Sequence, residues 1–155
     1  MKEKEKKIII ILIIALILID QILKIVFYKT GIQISMESGW GIGVLNNNKT
    51  ENNLAYILIS IVAVIALVRY IKSNNSYIKM NSRVILSFTI AGAISNAIDR
   101  VWNGGTINYI NIPNFSALNL SYVYFIITWI GMAVILTKYT SDRLKEKKER
   151  KWKKN

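Results

Sequence analysis

The chain alternates long apolar runs with short polar segments. Four runs approach the roughly 20 apolar residues that a helix needs to cross a bilayer, and they occupy about residues 8–27, 54–71, 84–99 and 118–137. The third run is short and includes serine, threonine and asparagine, which is typical of a helix shielded by its neighbours. The pattern therefore predicts an all-α membrane protein in which four transmembrane helices form one integral membrane domain over residues 1–155.

Two of the segments between the runs have the composition of β structure. Residues 31–45 hold four glycines, Trp40 and partly alternating apolar positions. Residues 103–113 begin with Asn-Gly-Gly, which is typical of a hairpin turn, and continue with alternating apolar positions. These two segments predict a small β cradle beside the helices.

The distribution of charge predicts the orientation of the helices. The sequence has 21 Lys and Arg residues against 9 Asp and Glu residues, and most of the cations precede the first run, separate the second from the third, or lie in the tail 138–155. Short loops rich in Lys and Arg stay in the cytoplasm. Both termini and the basic tail are therefore predicted to be cytoplasmic, and the β cradle is predicted to be extracytoplasmic.

The net charge of +12 would also be compatible with nucleic-acid binding. Because the basic residues are split among three short cytoplasmic segments, we predict contact with membrane lipids and no nucleic acid. The chain has no Cys and no His, which excludes a Cys nucleophile, a Ser-His pair and any metal site built on these residues. We predict no metal and no cofactor, and the sequence leaves the oligomeric state open.

Two carboxylates at membrane depth are the first candidate functional residues. Asp20 lies inside the first run and Asp99 lies at the outer end of the third. A charge in hydrocarbon is costly and usually lines a site. At about 1.5 Å per residue, Asp20 reaches the outer half of the bilayer, so the two acids can meet there. A structural alternative pairs Asp20 with Lys24 and Asp99 with Arg100 as charge-compensated acids that fix helix packing.

The residues around these acids resemble a known family. Residues 20–24, Asp-Gln-Ile-Leu-Lys, resemble the D-Q-x-x-K motif in the first helix of bacterial lipoprotein signal peptidases, the signal peptidase II family. Residues 91–100, Ala-Gly-Ala-Ile-Ser-Asn-Ala-Ile-Asp-Arg, resemble that family's G-G-A-x-G-N-x-x-D-R block. Residues 37–43 are similar to a degraded N-x-G-A-A-F-G motif, with Glu37 at the Asn position.

The resemblance implies a multi-pass protein of the bacterial cytoplasmic (cell) membrane with aspartyl endopeptidase activity. Such enzymes cut the signal peptide from a prolipoprotein just before a diacylglyceryl-modified cysteine, and two Asp residues activate the attacking water. In this sequence the resemblance puts Asn108 and Tyr122 at the two catalytic positions. Neither side chain titrates as a carboxylate does, and the chain has no Asp or Glu between Arg100 and Ser141.

The same resemblance implies supporting or binding roles for residues in the matched motifs, namely Asp20, Lys24, Asn96, Asp99, Arg100 and Asn119. The alternative for Asn96 and Asn119 is that they are polar groups at helix ends. Trp40, Trp102 and Tyr109 are candidates for a substrate groove, although aromatic residues at this depth more often form an interfacial belt.

Three functions are compatible with these observations. The favoured one is a non-cleaving relative that binds prolipoprotein or a lipidated peptide, because both expected acids are missing. The second is an active peptidase whose acid pair is rebuilt from Asp20 and Asp99 or from Glu37 and Asp99. A Ser-Lys pair built on Lys24 is a further catalytic alternative, but no spacing supports it. The third is an accessory membrane subunit without a peptide ligand.

Overall fold

The computed structural model describes residues 3–31, 35–37, 49–72, 80–113 and 117–152. Its elements follow one another as α1 (Glu3–Thr30), β1 (Ser35–Glu37), α2 (Lys49–Lys72), α3 (Met80–Asn103), β2 (Thr106–Asn108) and α4 (Leu120–Trp152). The predicted all-α class with four helices is thus confirmed. Helix α3 is central, because it packs against α1, α2 and α4.

Three of the described helices are long and apolar enough to cross a membrane. They are α1, α3 and the Leu120–Lys145 part of α4. These helices expose large apolar residues such as Ile11 and Trp129. The apolar stretch of α2 is shorter and covers Leu54–Arg69. A fourth span, and with it the cytoplasmic placement of both termini, stays a prediction.

The interior of the bundle is built from small and polar side chains of α3. Ser87, Ala91 and Ser95 are fully buried. Gly92 brings α3 so close to α4 that an added Cβ would lie 3.1 Å from the carbonyl oxygen of Ser121. Small residues at helix interfaces are common in membranes, since they let two backbones approach closely. The polar character of the third apolar run therefore reflects its burial among the other helices.

Polar contacts link the helices at other depths. Tyr124 of α4 donates a hydrogen bond of 3.1 Å to the Leu16 carbonyl of α1. Near the start of α3, the Arg83 guanidinium lies 3.2 Å from a carboxylate oxygen of Glu5 in α1. These contacts hold α1, α3 and α4 together along their length.

Helix α3 ends where the sequence predicts a turn, but the turn does not connect two strands. Gly104 adopts a φ of +70°, and its N–H donates a hydrogen bond of 3.2 Å to the Arg100 carbonyl. A glycine in this conformation is the usual cap of a helix C-terminus. The Asn-Gly-Gly sequence therefore ends α3, and the expectation of a hairpin at this point is wrong.

Strand β2 pairs instead with a strand far away in the sequence. Strands β1 and β2 are antiparallel, with Ser35 opposite Asn108 and Glu37 opposite Thr106. Beyond β2, Ile110 forms an isolated bridge with Leu118, just before α4. Residues 38–45 of the first predicted β segment lie outside the described residues, and an extracytoplasmic β cradle stays a prediction.

Candidate functional site

Lys24 joins the two candidate acids. Its Nζ lies 2.7 Å from Asp20 Oδ2, one turn away on α1, and 2.7 Å from Asp99 Oδ2 on α3. All three side chains are at most 1% exposed. The ammonium is thus held between two buried carboxylates that come from different helices.

Neutral donors complete the surroundings of the Asp20 carboxylate. Its Oδ2 accepts hydrogen bonds from Ser95 Oγ at 2.5 Å and from Ser121 Oγ at 2.7 Å. Its Oδ1 is buried without a hydrogen-bond partner. Oδ2 therefore accepts from two helices besides its own, which fixes the rotation of α1 relative to α3 and α4.

The Asp99 carboxylate is satisfied on both oxygens. Gln21 Nε2 donates to Oδ1 at 2.9 Å, and the backbone N–H of Ile107 donates to Oδ2 at 3.2 Å. The second bond ties the end of α3 to β2.

Arg100 contacts an aromatic ring of a neighbouring helix. Its guanidinium lies over the ring of Tyr56 in α2, 4.7 Å from the ring centroid. Among the described residues, the ion-pair partner of Asp99 is Lys24. The structure therefore gives Asp99 a counter-charge on α1, which the sequence-based alternative of an Asp99–Arg100 pair did not include.

A group of asparagines adjoins the charged cluster. Asn119 Nδ2 faces Asn108 Oδ1 at 2.9 Å, Asn96 Oδ1 at 3.0 Å and the Ile107 carbonyl at 3.1 Å. Asn96 Oδ1 also accepts from Lys24 Nζ at 3.0 Å. The asparagines and the charged cluster therefore form one hydrogen-bonded network.

The two positions that the resemblance assigned to catalysis both contact Asn119. Asn108 touches its side chain, and the backbone N–H of Tyr122 donates to its carbonyl at 3.1 Å. Asn108 is fully buried, whereas Tyr122 is half-buried and packs edge-on against Phe125. The fold thus brings these two positions to one residue, but with an amide and a phenol in place of two carboxylates.

The aromatic candidates of the sequence have different surroundings. Tyr109 is buried and stacks on Phe27 with ring centroids 4.6 Å apart. Its phenol oxygen accepts from the Leu120 N–H at 3.2 Å, and burial, aided by the Asp20 carboxylate, raises the pKa of Tyr109 above its usual range. Trp102 is highly exposed at the end of α3, and Trp40 lies outside the described residues. Tyr109 therefore belongs to the interior of the site and not to a belt.

Three hydrogen-bonding residues of the site were missed by sequence reasoning. They are Gln21, Ser95 and Ser121. A signal for the serines was present, because Ser95 stands at a glycine position of the G-G-A-x-G-N-x-x-D-R block. Both serine hydroxyls donate to Asp20. A serine in place of the family's glycine at position 95 was therefore a clue to a hydrogen bond with a buried acid.

An apolar groove lies outside this network, between α2 and α3. It has a volume of about 330 Å³ and is lined by side chains such as Ile57, Val64, Ala97 and Trp102. Tyr56, whose ring is in contact with the Arg100 guanidinium, directly precedes Ile57 in α2. The groove has the apolar lining and the size to accept part of an alkyl chain.

The arrangement limits the chemistry of its charged residues. Two carboxylates that share one proton require close like charges, whereas Asp20 and Asp99 are separated by an ammonium. Ser95 Oγ lies 3.4 Å from Lys24 Nζ, but this nitrogen is already engaged by the two carboxylates at 2.7 Å. Within the described residues no group of three or more His, Cys, Asp or Glu side chains is placed to bind a metal ion.

Comparisons with known proteins give one family by sequence and two solved structures of similar fold. The sequence profile of signal peptidase (SPase) II matches residues 12–140. A bacterial membrane enzyme solved by the in meso method at 2.3 Å resolution is similar in structure, with a TM-score of 0.72, 25% identity, and coverage of 88% of this chain and 91% of that chain. A bacterial membrane enzyme solved at 1.9 Å has a TM-score of 0.71 and 23% identity, over 84% of this chain and 92% of its own. No curated protein matches the chain.

Proposed function

The chain belongs to the signal peptidase II family, and from that premise we propose that it binds a prolipoprotein or a lipidated peptide at the outer face of the membrane without cleaving it. The observation that carries the proposal is the surroundings of its two buried acids and the lack of a carboxylate at the two expected catalytic positions. Lys24 holds both Asp20 and Asp99 at 2.7 Å, and Asn108 and Tyr122 occupy the positions where the family has its catalytic pair. Peptide hydrolysis by this chemistry needs one carboxylate as base and another as acid.

A rebuilt acid pair has little support in the geometry. Asp20 and Asp99 are fully buried and bonded to Lys24, so neither is presented to a water or to a scissile carbonyl. Glu37 is in β1, opposite Thr106, and the Asp99 oxygen nearest β2 already accepts from Lys24 and Ile107. An active peptidase with a rebuilt pair is the second candidate function, and it would have to break this ion-paired arrangement.

The proposed ligand class rests on two features. The asparagine group offers backbone-like donors and acceptors, and the groove between α2 and α3 offers an apolar volume of about 330 Å³. A lipidated peptide has both a polar backbone and alkyl chains.

We place the protein in the bacterial cytoplasmic membrane with both termini in the cytoplasm, where membrane lipids surround its exposed apolar faces. An accessory subunit without a peptide ligand is the third candidate, and it gives no role to the asparagine group.

The test is to measure binding and cleavage on the same sample. The purified protein in detergent is incubated with a diacylglyceryl-modified prolipoprotein, and bound and cut fractions are measured beside those of Asp20→Asn and Asp99→Asn variants. We expect the substrate to bind and to remain intact. Cleavage that either variant abolishes would establish a peptidase with a rebuilt acid site, and a protein that neither binds nor cuts would leave the accessory subunit.

A further inference from the structure

The asparagine group contains one buried donor and one buried acceptor without partners. They are Asn108 Nδ2 and Asn119 Oδ1, and both side chains are fully buried. Unpaired buried polar atoms are rare in folded proteins. Here one atom is a donor and the other is an acceptor, and their side chains are hydrogen-bonded to each other. Together they match a ligand that offers one acceptor and one donor.

The hydrogen bonds of Asn119 determine which atom of each amide is the donor. Its Nδ2 faces Asn96 Oδ1, Asn108 Oδ1 and the Ile107 carbonyl. Turning the Asn119 amide over would put an oxygen against these three acceptors. Turning the Asn108 amide over would put two donors against each other. Asn108 therefore has its N–H₂ group left over, and Asn119 has its carbonyl oxygen left over.

We propose that these two atoms bind the backbone of one ligand residue, with Asn108 Nδ2 donating to its carbonyl and Asn119 Oδ1 accepting from its N–H. The inference deepens the proposed function and depends on it. Each residue of an extended peptide offers one donor and one acceptor, so the pair matches a peptide without reading its side chains. A carboxylate at position 108 would have no donor, which makes this contact a property of the asparagine.

The pair is closed from solvent in this structure, so the ligand enters by opening the site. A buried water would satisfy the same two atoms and is the rival occupant. The experiment therefore has to distinguish a backbone ligand from a water. Replacing one backbone amide of the ligand by an ester does so, because an ester has no N–H and a weaker carbonyl acceptor, while a resident water is unaffected.

The probe is a synthetic lipobox peptide with a diacylglyceryl-modified cysteine, prepared as a series in which each backbone amide in turn is an ester. Binding to the unaltered protein in detergent is measured for every member. We expect two neighbouring positions to respond: the ester that removes the N–H should weaken binding about tenfold, and the ester at the next amide, which weakens the carbonyl of the same residue, should have a smaller effect, with the other positions within about twofold of the parent peptide. If every ester binds within about twofold of the parent, the inference is overturned and the water is favoured, while the proposed function stands.

A single-residue variant tests the donor directly. Asn108→Asp keeps the oxygen that accepts from Asn119 and replaces the free N–H₂ group by a second oxygen, so we expect about tenfold weaker binding of the parent peptide. Asn111→Asp makes the same chemical change at an exposed position of the same segment and should bind within about twofold of the unaltered protein. Equal binding by the Asn108 variant would overturn the inference. Failure of the parent peptide to bind at all would remove the proposed function as well.

Discussion

Lys24 provides the only positive charge that the described ion pairs bring to Asp20 and Asp99. One ammonium and two carboxylates leave a net negative charge in the interior, and the hydroxyl groups of Ser95 and Ser121 together with the Ile107 N–H disperse it. A buried charge is tolerated only when it is paired and hydrogen-bonded. The cluster therefore depends more on its lysine than on any one of its neutral donors.

Replacing this lysine is expected to destabilise the protein strongly. Lys24→Met preserves most of the side-chain volume but leaves two buried carboxylates without a counter-charge, which costs about 3–5 kcal/mol by analogy with other broken buried pairs. Thermal unfolding in detergent should show a clear fall in Tm. Lys29→Met, on the same helix at an exposed position, should leave Tm nearly unchanged. An equal Tm for the two variants would mean that Lys24 does not stabilise the acids.

Introducing carboxylates at the two positions that the resemblance assigns to catalysis should give some activity. We expect the double variant Asn108→Asp with Tyr122→Asp to cleave a diacylglyceryl-modified prolipoprotein above the level of the parent, because it supplies both a base and an acid. Either single variant should stay inactive, since one carboxylate cannot do both tasks. The measurement is product formation by gel shift, and a folded double variant without product would contradict the assignment of these two positions.

The sequence predicts the contact between Asp20 and Lys24 better than the contact between Lys24 and Asp99. The spacing of Asp20 and Lys24 predicts that they share a helix face, and the structure has them in contact. The contact of Lys24 with Asp99 could not be predicted, because the periodicity of a helix does not give its rotation relative to another helix. The same limitation made Arg100 look like the partner of Asp99.

At the scale of elements, the interface between α3 and α4 depends on how closely their backbones approach. Gly92 and Gly131 both lie in this interface, but their neighbours differ. A Cβ on Gly92 would meet the Ser121 carbonyl oxygen at 3.1 Å, whereas a Cβ on Gly131 would meet the terminal methyl of Ile85 at 2.8 Å. A backbone oxygen cannot move without moving its helix, whereas a side-chain methyl moves with its rotamer.

Substituting these two glycines separates the effect of the contact from that of helix propensity. Both Gly→Ala changes gain the same propensity, about 0.5–1 kcal/mol. We therefore expect Gly92→Ala to have a lower Tm than Gly131→Ala, because the first change pushes α3 from α4 beside Ser121. Thermal unfolding of both variants in one detergent gives the comparison, and the reverse order would show that the approach at Gly92 is not limiting.

The helices could be predicted from local sequence because their apolar length is a local property. The pairing of β1 with β2 could not, because each strand has three residues and the partners are separated by a whole helix pair. The local turn signal at Asn103 and Gly104 was stronger than any signal for the distant strand, which explains why it predicted a hairpin. Two short strands are held together by the helices to which they connect, and that depends on tertiary structure.

For the whole molecule, the position of the C-terminus depends on α2. If α2 crosses the membrane, as the sequence predicts, the end of α3 lies outside and the tail after α4 lies in the cytoplasm. If α2 does not cross, the end of α3 lies in the cytoplasm and the tail after α4 lies outside. The positive-inside pattern favours the first arrangement, because the tail from residue 138 onward is rich in Lys and Arg.

The absence of cysteine makes this topology easy to test. Asn103→Cys and Lys145→Cys each introduce one thiol at an exposed position. A membrane-impermeant maleimide should label Asn103→Cys in intact cells and should label Lys145→Cys only after the membrane is permeabilised. The opposite result for the pair would overturn the predicted topology, either because α2 stays on one side of the bilayer or because the whole bundle is inserted the other way round.

The placement of Lys24 also has a consequence for biogenesis. Helix α1 is synthesised first and contains Asp20 and Lys24 one turn apart, so it can enter the lipid with these two charges mutually neutralised. Helix α3 is synthesised later and brings Asp99, whose ion-pair partner is on α1. Retention of α3 in the bilayer is therefore coupled to the earlier arrival of α1, and the order of translation supplies the counter-charge before the acid that needs it.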